Sequence, residues 1–474
     1  MERMDYSVDI KRFYLKLSFK SPWIIVGETT KTQGWKLHIS TVPCDANRLL
    51  DTVLPELKKR KVCFKFIENS NQLIRLNTGL FGSTQIGKCM TIYPNSDIEA
   101  KELAIILAEL TKGFKGPIVE TDVKISDVVY ARYGAFKSMN INNIKGKSDN
   151  YIVNNDGELI KDQYHIPFTL PKGIVNIFKN YTDKTLKKGS RLIGSRYLLI
   201  DSIHSHPKGG VGLVFDIRNQ TEDGLKVIKQ AKPYCMSDFY NRDGRSRLKY
   251  QENLHKKLYK LLSIPRADDY FEDNGIGYLP LEYIKGKTLK EVIESETFND
   301  KKRGFPLNKN NNFLRYIYIV KICDFLIRLH QLGYVHRDLT PTNIIINNHD
   351  NSIRIIDFEL TRKIGDMSPI FQGYTEGFAS PQQIKEEQPS IQDDIYSLGC
   401  IMIFILTGKN PNTTLKTITK KNSIFSHGII SQELLELIKM CTLEDANLRP
   451  NLQQIKKQIK TEIKNIQNIH SNMG

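Results

Sequence analysis

The sequence has no apolar run long enough to cross a membrane and no signal peptide. The longest apolar run, residues 398–406, is far shorter than the ~20 residues that span a bilayer. Charged residues are mixed through residues 1–20, so the apolar core of a signal peptide is missing. Internal repeats and low-complexity blocks are absent as well. We therefore expect a cytoplasmic protein without a membrane partner.

Cysteine is sparse and irregularly spaced. The seven cysteines are an odd number, and no two stand in C-x-x-C spacing with partner histidines. Neither a disulfide framework nor a zinc site is indicated. We expect reduced and mostly buried thiols.

What the sequence does have is length and positive charge. A chain of 474 residues exceeds one ordinary core, so two or more domains are expected. Its 40% hydrophobic and 26% charged residues are typical of a soluble globular protein. The net charge of +17 favours either a lysine-rich solvated surface or attraction to anionic ligands. Without an aromatic stacking motif, no nucleic-acid partner is predicted.

Three sections follow one another along the chain. Residues 1–140 alternate strand-like and helical runs, which predicts an α+β domain. Residues 141–190 are rich in Asn, Asp, Lys and Gly and read as a connector that can fold onto a neighbour. From residue 191 to 474, strands come first and helices follow. The runs in the first section are strands at Trp35–Ser40, Val62–Ile67, Met90–Tyr93 and Val128–Tyr133, and helices at Ala46–Lys59 and Asp97–Leu110.

The most specific motif lies at residues 336–343, which read HRDLTPTN. This sequence matches the H-R-D-x-x-x-x-N catalytic loop of protein kinases. Asp338 would accept the proton of the substrate hydroxyl, and Asn343 would hold Mg²⁺. Asp357 follows an apolar strand at the position of the second metal ligand, although a lone aspartate after a strand is usually a turn residue. The motif predicts a two-lobed kinase domain over residues 191–474.

Nucleotide-binding residues are expected upstream of this loop. Residues 207–214 read PKGGVGLV and fit a phosphate-covering loop in which Pro207 replaces the first glycine. Lys229 would contact the phosphates, with Lys226 and Lys232 as the competing surface lysines. The predicted set for ATP, or another nucleoside triphosphate, is Gly209, Gly210, Gly212, Lys229, its ion-pair partner Glu252, and Glu282 in the hinge.

Further kinase motifs lie downstream in the expected order. Ser380-Pro381 stands where A-P-E usually lies, Asp394–Gly399 resembles the helix whose aspartate anchors the catalytic loop backbone, and Arg449-Pro450 closes the domain. Pro207, Thr340 and Glu359 depart from the common pattern, but the direct phosphate and metal contacts are retained, so we expect activity. Since Glu359 replaces a glycine, we also expect little switching of the activation loop.

The first domain carries basic residues within strand-like runs. Strand alternation places Lys36 and His38 on one face, where they can form a base and acid pair. Lys65 interrupts an apolar run, which is usual for a lysine that protects an edge strand. Lys88 and Arg132, each taken alone, can likewise be interpreted as residues without a catalytic role. Together these residues would form a cationic cluster suited to phosphate, in which crowded charge and burial lower a lysine pKa.

The runs WKLHIS, FKF, GKCMTIYP and VYARYG, followed by a kinase with the sequence DFE, resemble the class III lanthipeptide synthetases. The first domain of that family is similar to the phosphothreonine lyases that bacterial pathogens use as effectors. The resemblance covers essentially the whole chain. It implies a phosphothreonine-lyase-like domain followed by a kinase domain, both acting on a ribosomal precursor peptide with a leader segment.

The resemblance also implies residue roles. Lys65 would remove the α-proton of phosphoserine or phosphothreonine, protonated His38 would assist the departure of phosphate, and Lys36 would stabilise the enolate-like carbonyl. Lys88 and Arg132 would bind the phosphate, with Tyr93 as a nearby candidate. Such chemistry needs a base with a pKa near the working pH and a separate acid.

Those synthetases continue into a zinc-dependent cyclase. Nothing of it follows Arg449-Pro450, so we expect a separate or deleted cyclase domain and predict no thioether formation by this chain. The apolar positions 452, 455, 459, 463 and 466 have helical spacing and predict either the last kinase helix or a lead into another domain.

The sequence leaves three hypotheses. The first is a bifunctional enzyme, a Ser/Thr kinase and phosphoserine/phosphothreonine lyase that makes dehydroalanine or dehydrobutyrine. The second is a regulatory Ser/Thr kinase whose first domain binds phosphopeptides or docks substrates. The third is a pseudokinase scaffold.

Overall fold

The computed structural model describes residues 4–14, 16–137, 140–142, 148–182, 192–219, 221–302, 309–347, 349–418 and 431–471. The parts of the predicted connector at 143–147 and 183–190 lie outside the described residues. The chain divides into two compact units, one formed by Met1–Lys249 with Asp269–Pro280 and the other by Tyr250–Asp268 with Leu281–Gly474. The fold is α+β, as predicted.

The first domain is built on an antiparallel sheet of seven described strands. Their order is β1-β2-β4-β5-β3-β7-β6, so β3, β4, β5 and β7 lie inside the sheet. The strands are β1 Ser18–Lys20, β2 Trp23–Val26, β3 Gln33–Ile39, β4 Cys63–Ile67, β5 Met90–Tyr93, β6 Val123–Lys124 and β7 Val129–Ala135. All four predicted strands are confirmed within one or two residues at each end.

Helices cover one face of this sheet. They are α1 Tyr6–Lys11, α2 Ala46–Arg60, α3 Ser70–Thr78 and α4 Asp97–Leu110, which confirms both predicted helices. Successive strand residues point to opposite faces, so Trp35, Leu37 and Ile39 enter the core with Leu50 and Leu103 of the helices. The residues between them in sequence must therefore lie on the opposite face.

The predicted connector folds onto the first domain. Its strands β8 Asn140–Asn142, β9 Ser148–Val153 and β10 Leu159–Lys161 form a small sheet, and a short helix α5 covers Lys179–Thr182. Phe178 is buried in the core of the first domain and lies edge-on to Trp35 at 5.0 Å. The described part of the connector is thus packed structure rather than a free linker.

The first kinase strands form a second sheet, in the order β11-β12-β13-β14-β16-β15. A small aromatic core of Tyr197, Phe271 and Tyr278 lies beneath it, with rings stacked at 5.7 and 5.3 Å. The elements are β11 Leu192–Ile193, β12 Tyr197–His204, β13 Val211–Asp216, β14 Leu225–Ala231, helix α6 Gly244–Leu258, β15 Phe271–Asp273 and β16 Ile276–Glu282.

The remainder of the kinase is mainly helical. Its strands are β17 Lys287–Thr288, β18 Tyr334–Val335, β19 Ile344–Ile346, β20 Ile353–Ile355 and β21 Arg362–Lys363. Its helices are α7 Leu289–Lys302, α8 Lys309–Gln331, α9 Pro381–Ile384, α10 Ile391–Thr407, α11 Pro411–Ile418, α12 Gln432–Cys441 and α13 Leu452–Ser471. The predicted tail helix is α13, whose Leu452, Ile455 and Ile459 enter the same core as α8 and α10.

The longest apolar run of the sequence lies in α10, where it is buried in this core. No helix among the described residues is both long and apolar enough to cross a membrane. All seven cysteines are free thiols and all except Cys44 are buried, which confirms the expected burial.

Candidate active sites

The interior strands of the first domain bring its predicted residues onto one face. Phe64, Phe66, Met90, Ile92 and Ala131 point into the core, so the residues that alternate with them point away from it. Lys36 pairs directly with Arg132 across β3 and β7, while His38 and Lys65 flank Thr91 from either side. Two strand spacings, about 10 Å, separate the backbones of His38 and Lys65.

Lys65 does not lie on an edge strand. Its strand β4 is flanked by β2 and β5, so the edge-protecting interpretation of this lysine is wrong. Its ammonium lies 4.0 Å from the centre of the Trp23 ring, a cation–π distance. Burial, then Lys88 and Lys20, lower its pKa to about 8. Lys65 can therefore become neutral close to physiological pH.

Lys36 is perturbed even more strongly. Burial and the charge of Arg132 lower its pKa to about 7, against the opposing effects of Asp162 and Asp122. Its Nζ donates a hydrogen bond to the carbonyl oxygen of Ala135 at 2.9 Å. Two lysines with lowered pKa values thus share this face of the sheet.

His38 is held by a buried carboxylate, that of Asp122. The distance from His38 Nδ1 to Asp122 Oδ2 is 2.5 Å, and Lys88 Nζ lies 3.0 Å from Asp122 Oδ1. Thr121 Oγ1 also donates to Asp122 at 2.7 Å. This arrangement places the Nδ1 proton toward Asp122 and leaves Nε2 available for chemistry.

Burial dominates the protonation of this pair. Burial, with help from Lys88 and Lys36, lowers the pKa of His38 to about 3, although Asp122 acts in the opposite direction. Burial alone would raise the pKa of Asp122, but Lys88, His38 and the hydrogen bonds it accepts hold it well below its usual range. In the ligand-free site His38 is therefore neutral and Asp122 is ionised.

Two of the cations have unused hydrogen-bonding capacity. Arg132 and Lys88 are each only 2% exposed. Among the described residues, neither Arg132 Nη1 nor Lys88 Nζ has a hydrogen-bond partner, even though Lys88 is ion-paired. An unpartnered buried donor is costly, and a phosphate oxygen would satisfy both.

Tyr93 lies on the same face, beside the cluster. Its backbone pairs with Cys63, and its ring meets Phe136 edge-on at 5.1 Å. Burial raises its pKa, with smaller contributions from Cys63 and Tyr164, so its hydroxyl stays a neutral donor. The sheet brings Lys36, His38, Lys65, Arg132 and Tyr93 to this face, and Lys88, which precedes β5, joins them through its ion pair with Asp122.

Several residues of this cluster carry no recognisable signal in the sequence. Asp122 stands in the run ETDV, which matches no motif, and Thr91 is predicted only as part of a strand. Asp162 and Tyr164 belong to the connector, to which no chemistry was assigned, yet Asp162 pairs with Arg132. Nothing in their spacing marks these residues, because the sheet register and chain packing bring them to the site.

The kinase catalytic loop is fixed by a buried carboxylate of α10. Asp394 accepts hydrogen bonds from the backbone amides of His336 and Arg337, both at 2.8 Å, which confirms the predicted anchor. The carboxylate of Asp338 accepts from Thr375 at 2.7 Å and from Asn343 at 3.1 Å. Burial, followed by Asp357, raises the pKa of Asp338 to about 6.

The donor set near Asp338 fits Mg²⁺. Asp357 and Glu359 both raise the pKa of Asp338, so a cation would relieve this crowding of carboxylates. Asn343 uses Nδ2 as a donor to Asp338, which leaves its amide oxygen for a metal. Across the described residues no three His, Cys, Asp or Glu side chains are grouped to hold a metal. A site of one carboxylate and one amide suits Mg²⁺ that is also bound by nucleotide phosphates.

The predicted glycines lie where β12 turns into β13. Gly209 has φ +147°, and a Cβ there would lie 2.0 Å from the carbonyl oxygen of Gln230, so only glycine fits. Gly210 accepts a hydrogen bond from the Gln230 amide at 2.8 Å. Gly212 lies on β13, where a Cβ would meet Leu199 at 2.8 Å. This turn is close-packed against the next strand.

The other nucleotide candidates are also placed by regular structure. Lys229 lies on β14 and pairs in register with Val211. Glu252 lies on α6 and accepts a hydrogen bond from Lys256 at 2.7 Å. Glu282 ends β16, and its carboxylate accepts the backbone amide of Arg266 at 2.9 Å.

Comparison with known proteins gives two family matches. Residues 17–182 match the family described as "RamC, N-terminal domain", and residues 207–459 match the protein kinase domain family. Among similar proteins, a probable SapB synthase of Streptomyces coelicolor is 25% identical over 414 residues, which cover 85% of this chain and 42% of that protein.

Two kinases are also similar over the second part of the chain. The Ser/Thr protein kinase PknB of Mycobacterium tuberculosis is 31% identical over 47% of this chain and 34% of its own length. Serine/threonine-protein kinase B of Synechocystis is 28% identical over 52% of this chain and 44% of its own length. The chain therefore spans less than half the length of each of these three relatives.

Proposed function

We propose that this chain is a bifunctional lanthipeptide dehydratase. It belongs to the protein kinase family and carries a RamC N-terminal domain before its kinase domain, as the sequence resemblance predicted. Its kinase domain phosphorylates Ser and Thr of a ribosomal precursor peptide, and its first domain then eliminates phosphate. The observation that carries the proposal is the buried cluster on the sheet, in which lysines of lowered pKa adjoin Lys88, which is paired with Asp122, and Arg132, whose buried Nη1 has no hydrogen-bond partner among the described residues.

The kinase half uses the residues around Asp338. Asp338 orients the peptide hydroxyl and accepts its proton, while Asn343 and Asp357 hold Mg²⁺. The glycine turn, Lys229 with Glu252, and Glu282 bind ATP or another nucleoside triphosphate. The bound nucleotide and Mg²⁺ supply the phosphoryl group and neutralise its charge.

The elimination half uses the sheet cluster. Neutral Lys65 takes the α-proton, the electron pair of that C–H bond forms the Cα=Cβ bond, and the Cβ–O bond breaks with its pair leaving on phosphate. His38 donates a proton to the departing oxygen, and Lys36 stabilises negative charge on the carbonyl oxygen. Arg132, Lys88 and Tyr93 bind the phosphate.

Substrate binding would itself charge His38. In the ligand-free site His38 is neutral, because burial and neighbouring lysines lower its pKa. A phosphate dianion adds negative charge beside the imidazole and raises that pKa. The acid is thereby generated only when a leaving group is present.

The proposal extends to partners. The substrate is a precursor peptide whose leader segment docks on the enzyme, and the dehydrated peptide is in turn the substrate of a cyclase. Neither nucleic acid nor a membrane is a proposed partner, and the enzyme acts in the cytoplasm.

The test is incubation of the intact chain with a Ser-rich precursor peptide, ATP and Mg²⁺, followed by mass spectrometry. A phosphorylated intermediate should appear first and then lose phosphoric acid, which leaves the peptide lighter by one water per site. Lys65→Met should stall at the phosphorylated peptide, and Asp338→Asn should abolish both mass changes.

Other outcomes would replace the proposal. Continued dehydration by Lys65→Met would remove the lyase assignment. Stable phosphopeptide from the unaltered chain would favour a regulatory Ser/Thr kinase with a phosphopeptide-binding domain. Nucleotide binding without any transfer would favour a pseudokinase scaffold.

A further inference from the structure

A segment of the connector covers two of the phosphate-cluster cations. Asp162 forms an ion pair with Arg132 and accepts the backbone amide of Ala135 at 3.0 Å. Arg132 Nη2 also donates to the carbonyl oxygen of Gln163 at 2.9 Å. We call residues Asp162–Tyr164 the covering segment.

The tyrosine of this segment stacks on both cations. The Tyr164 ring centre lies 4.0 Å from the guanidinium carbon of Arg132 and 4.7 Å from Lys88 Nζ. These distances are within the range of cation–π attraction. An aromatic ring can hold two neighbouring cations without the negative charge that would repel a phosphate.

The two ends of the segment differ in exposure. The Asp162 side chain is 7% exposed, whereas Tyr164 is 41% exposed. Asp162 thus lies inside, at the guanidinium, and Tyr164 lies at the solvent boundary of the cluster. The ring therefore lies over two buried cations while it is itself open to solvent.

The contacts of Arg132 are divided between its two terminal nitrogens. The hydrogen bonds to Asp162 and Gln163 use Nη2, while Nη1 has no partner among the described residues. The backbone beneath is Gly134, where a Cβ would lie 2.6 Å from Arg132 Nη1 and 2.9 Å from Asp162 Oδ2. Only glycine at position 134 therefore leaves room for the Arg132–Asp162 ion pair. Arg132 Nη1 remains available to bind an external anion.

We propose that the covering segment completes the phosphate site, with Asp162 and Tyr164 as positioning residues for Arg132 and Lys88. Asp162 fixes one edge of the guanidinium so that Nη1 meets the phosphate, and Tyr164 holds both cations in place. The ligand class is a phosphate monoester on a peptide side chain. This inference rests on the proposed elimination function.

The test supplies the full chain with a synthetic phosphoserine peptide without nucleotide, so that phosphorylation is bypassed. Tyr164→Leu should raise KM for the phosphopeptide, and the inhibition constant of inorganic phosphate, about tenfold with little change in kcat. Tyr164→Phe should restore most of the binding because the ring is retained. Tyr164 is exposed, so these replacements leave the core intact.

Asp162→Asn supplies a second variant. The amide can accept through only one oxygen, so Asp162→Asn cannot hold both Arg132 and the Ala135 amide, and the lost position of Arg132 should raise KM and the phosphate inhibition constant even though a negative charge is removed. Asp156→Asn, which changes an exposed carboxylate of the same connector, is its matched control. Tyr240→Leu is the control for Tyr164, since Tyr240 is 49% exposed and stacks on Arg242 at 5.2 Å.

Inorganic phosphate binding, followed by ³¹P NMR, separates this inference from the proposed function. If the unaltered chain binds phosphate through Tyr164 but eliminates nothing, the elimination function fails and the completed phosphate site stands. Unchanged KM and phosphate affinity in both Tyr164→Leu and Asp162→Asn would overturn the inference. Absence of phosphate binding by the unaltered chain would also overturn it.

Discussion

At the residue scale, Lys65 shows how a sheet converts a surface residue type into a reactive one. Its neighbours Phe64 and Phe66 fill the core, and strand alternation sends Lys65 to the opposite, charged face. Burial and a second lysine then destabilise its ammonium form. The same alternation places Lys36 beside Arg132.

Elimination should depend on pH through Lys65. A general base must be neutral, and the lowered pKa of Lys65 is about 8 compared with an ordinary 10.5. We predict that kcat for a saturating phosphoserine peptide, whose phosphate charges His38, rises with pH through about 8 as Lys65 becomes neutral and falls at higher pH where His38 loses its proton. Stopped assays of the dehydrated product across buffers of equal ionic strength would measure this.

The rising limb should disappear in Lys65→Met together with nearly all activity. A rate that continues to climb toward the ordinary lysine value would contradict the assignment, because it would point to a base that is not buried.

Asp122 should matter for elimination and not for phosphorylation. Asp122→Asn keeps the size of the side chain but removes the carboxylate that faces His38 Nδ1 at 2.5 Å and Lys88 at 3.0 Å. We predict a fall of about 10² in the elimination rate and accumulation of phosphopeptide, measured by mass spectrometry with ATP present. Asp127→Asn, a change at an exposed carboxylate paired with Lys124, should behave as the unaltered enzyme, and equal losses in both variants would refute the role.

At the element scale, α10 joins the apolar core to the catalytic loop. Ser390 and Asp393 form a capping box at its start, and Gly408 ends it with φ +65°. Its apolar residues fix the helix in the core, so Asp394 in its first turn is held rigidly beneath His336 and Arg337.

Asp394→Asn should therefore impair the kinase alone. The amide can accept only through one oxygen, so one buried backbone amide of the loop loses its partner at a cost of about 2 kcal/mol. We expect much slower transfer from ATP, while elimination from a synthetic phosphopeptide stays unchanged. Parallel assays of both half-reactions on one preparation would show it, and a matching loss of elimination would indicate general misfolding instead.

At the scale of the whole molecule, the first domain contacts the segment between β14 and α6. Glu120 forms an ion pair with Lys232, Asn77 accepts the backbone amide of Met236 at 3.1 Å, and Cys44 donates to Asn241 at 2.9 Å. Tyr234, Met236 and Asn241 in this segment have positive φ, a conformation that costs free energy. These contacts offset that cost and hold this segment against the first domain.

A charge exchange tests this connection. Glu120→Lys and Lys232→Glu should each lower the free energy of unfolding by about 1 kcal/mol, and the double variant should recover most of it. Thermal or denaturant unfolding would measure the coupling. Lys249→Glu is the control, because its pair with Glu272 is largely exposed and is worth little. Additive losses in the double variant would contradict a direct pair.

The sequence alone determined the order of the domains and much of the chemistry. Kinase motifs are contiguous, so the positions of Asp338 and Asn343 are readable from spacing. Period-two patterns around residues 36, 65 and 90 also predicted the strands correctly, because local alternation reflects a sheet with one apolar face.

Only the tertiary structure decided which distant residues meet. Strand order makes β4 an interior strand, which the sequence could not show because neighbouring strands are not neighbours in the chain. Register places Thr91 between His38 and Lys65, and packing brings Asp122 to His38 and Asp162 to Arg132. The pKa changes follow from these contacts and from burial, which are properties of the folded chain.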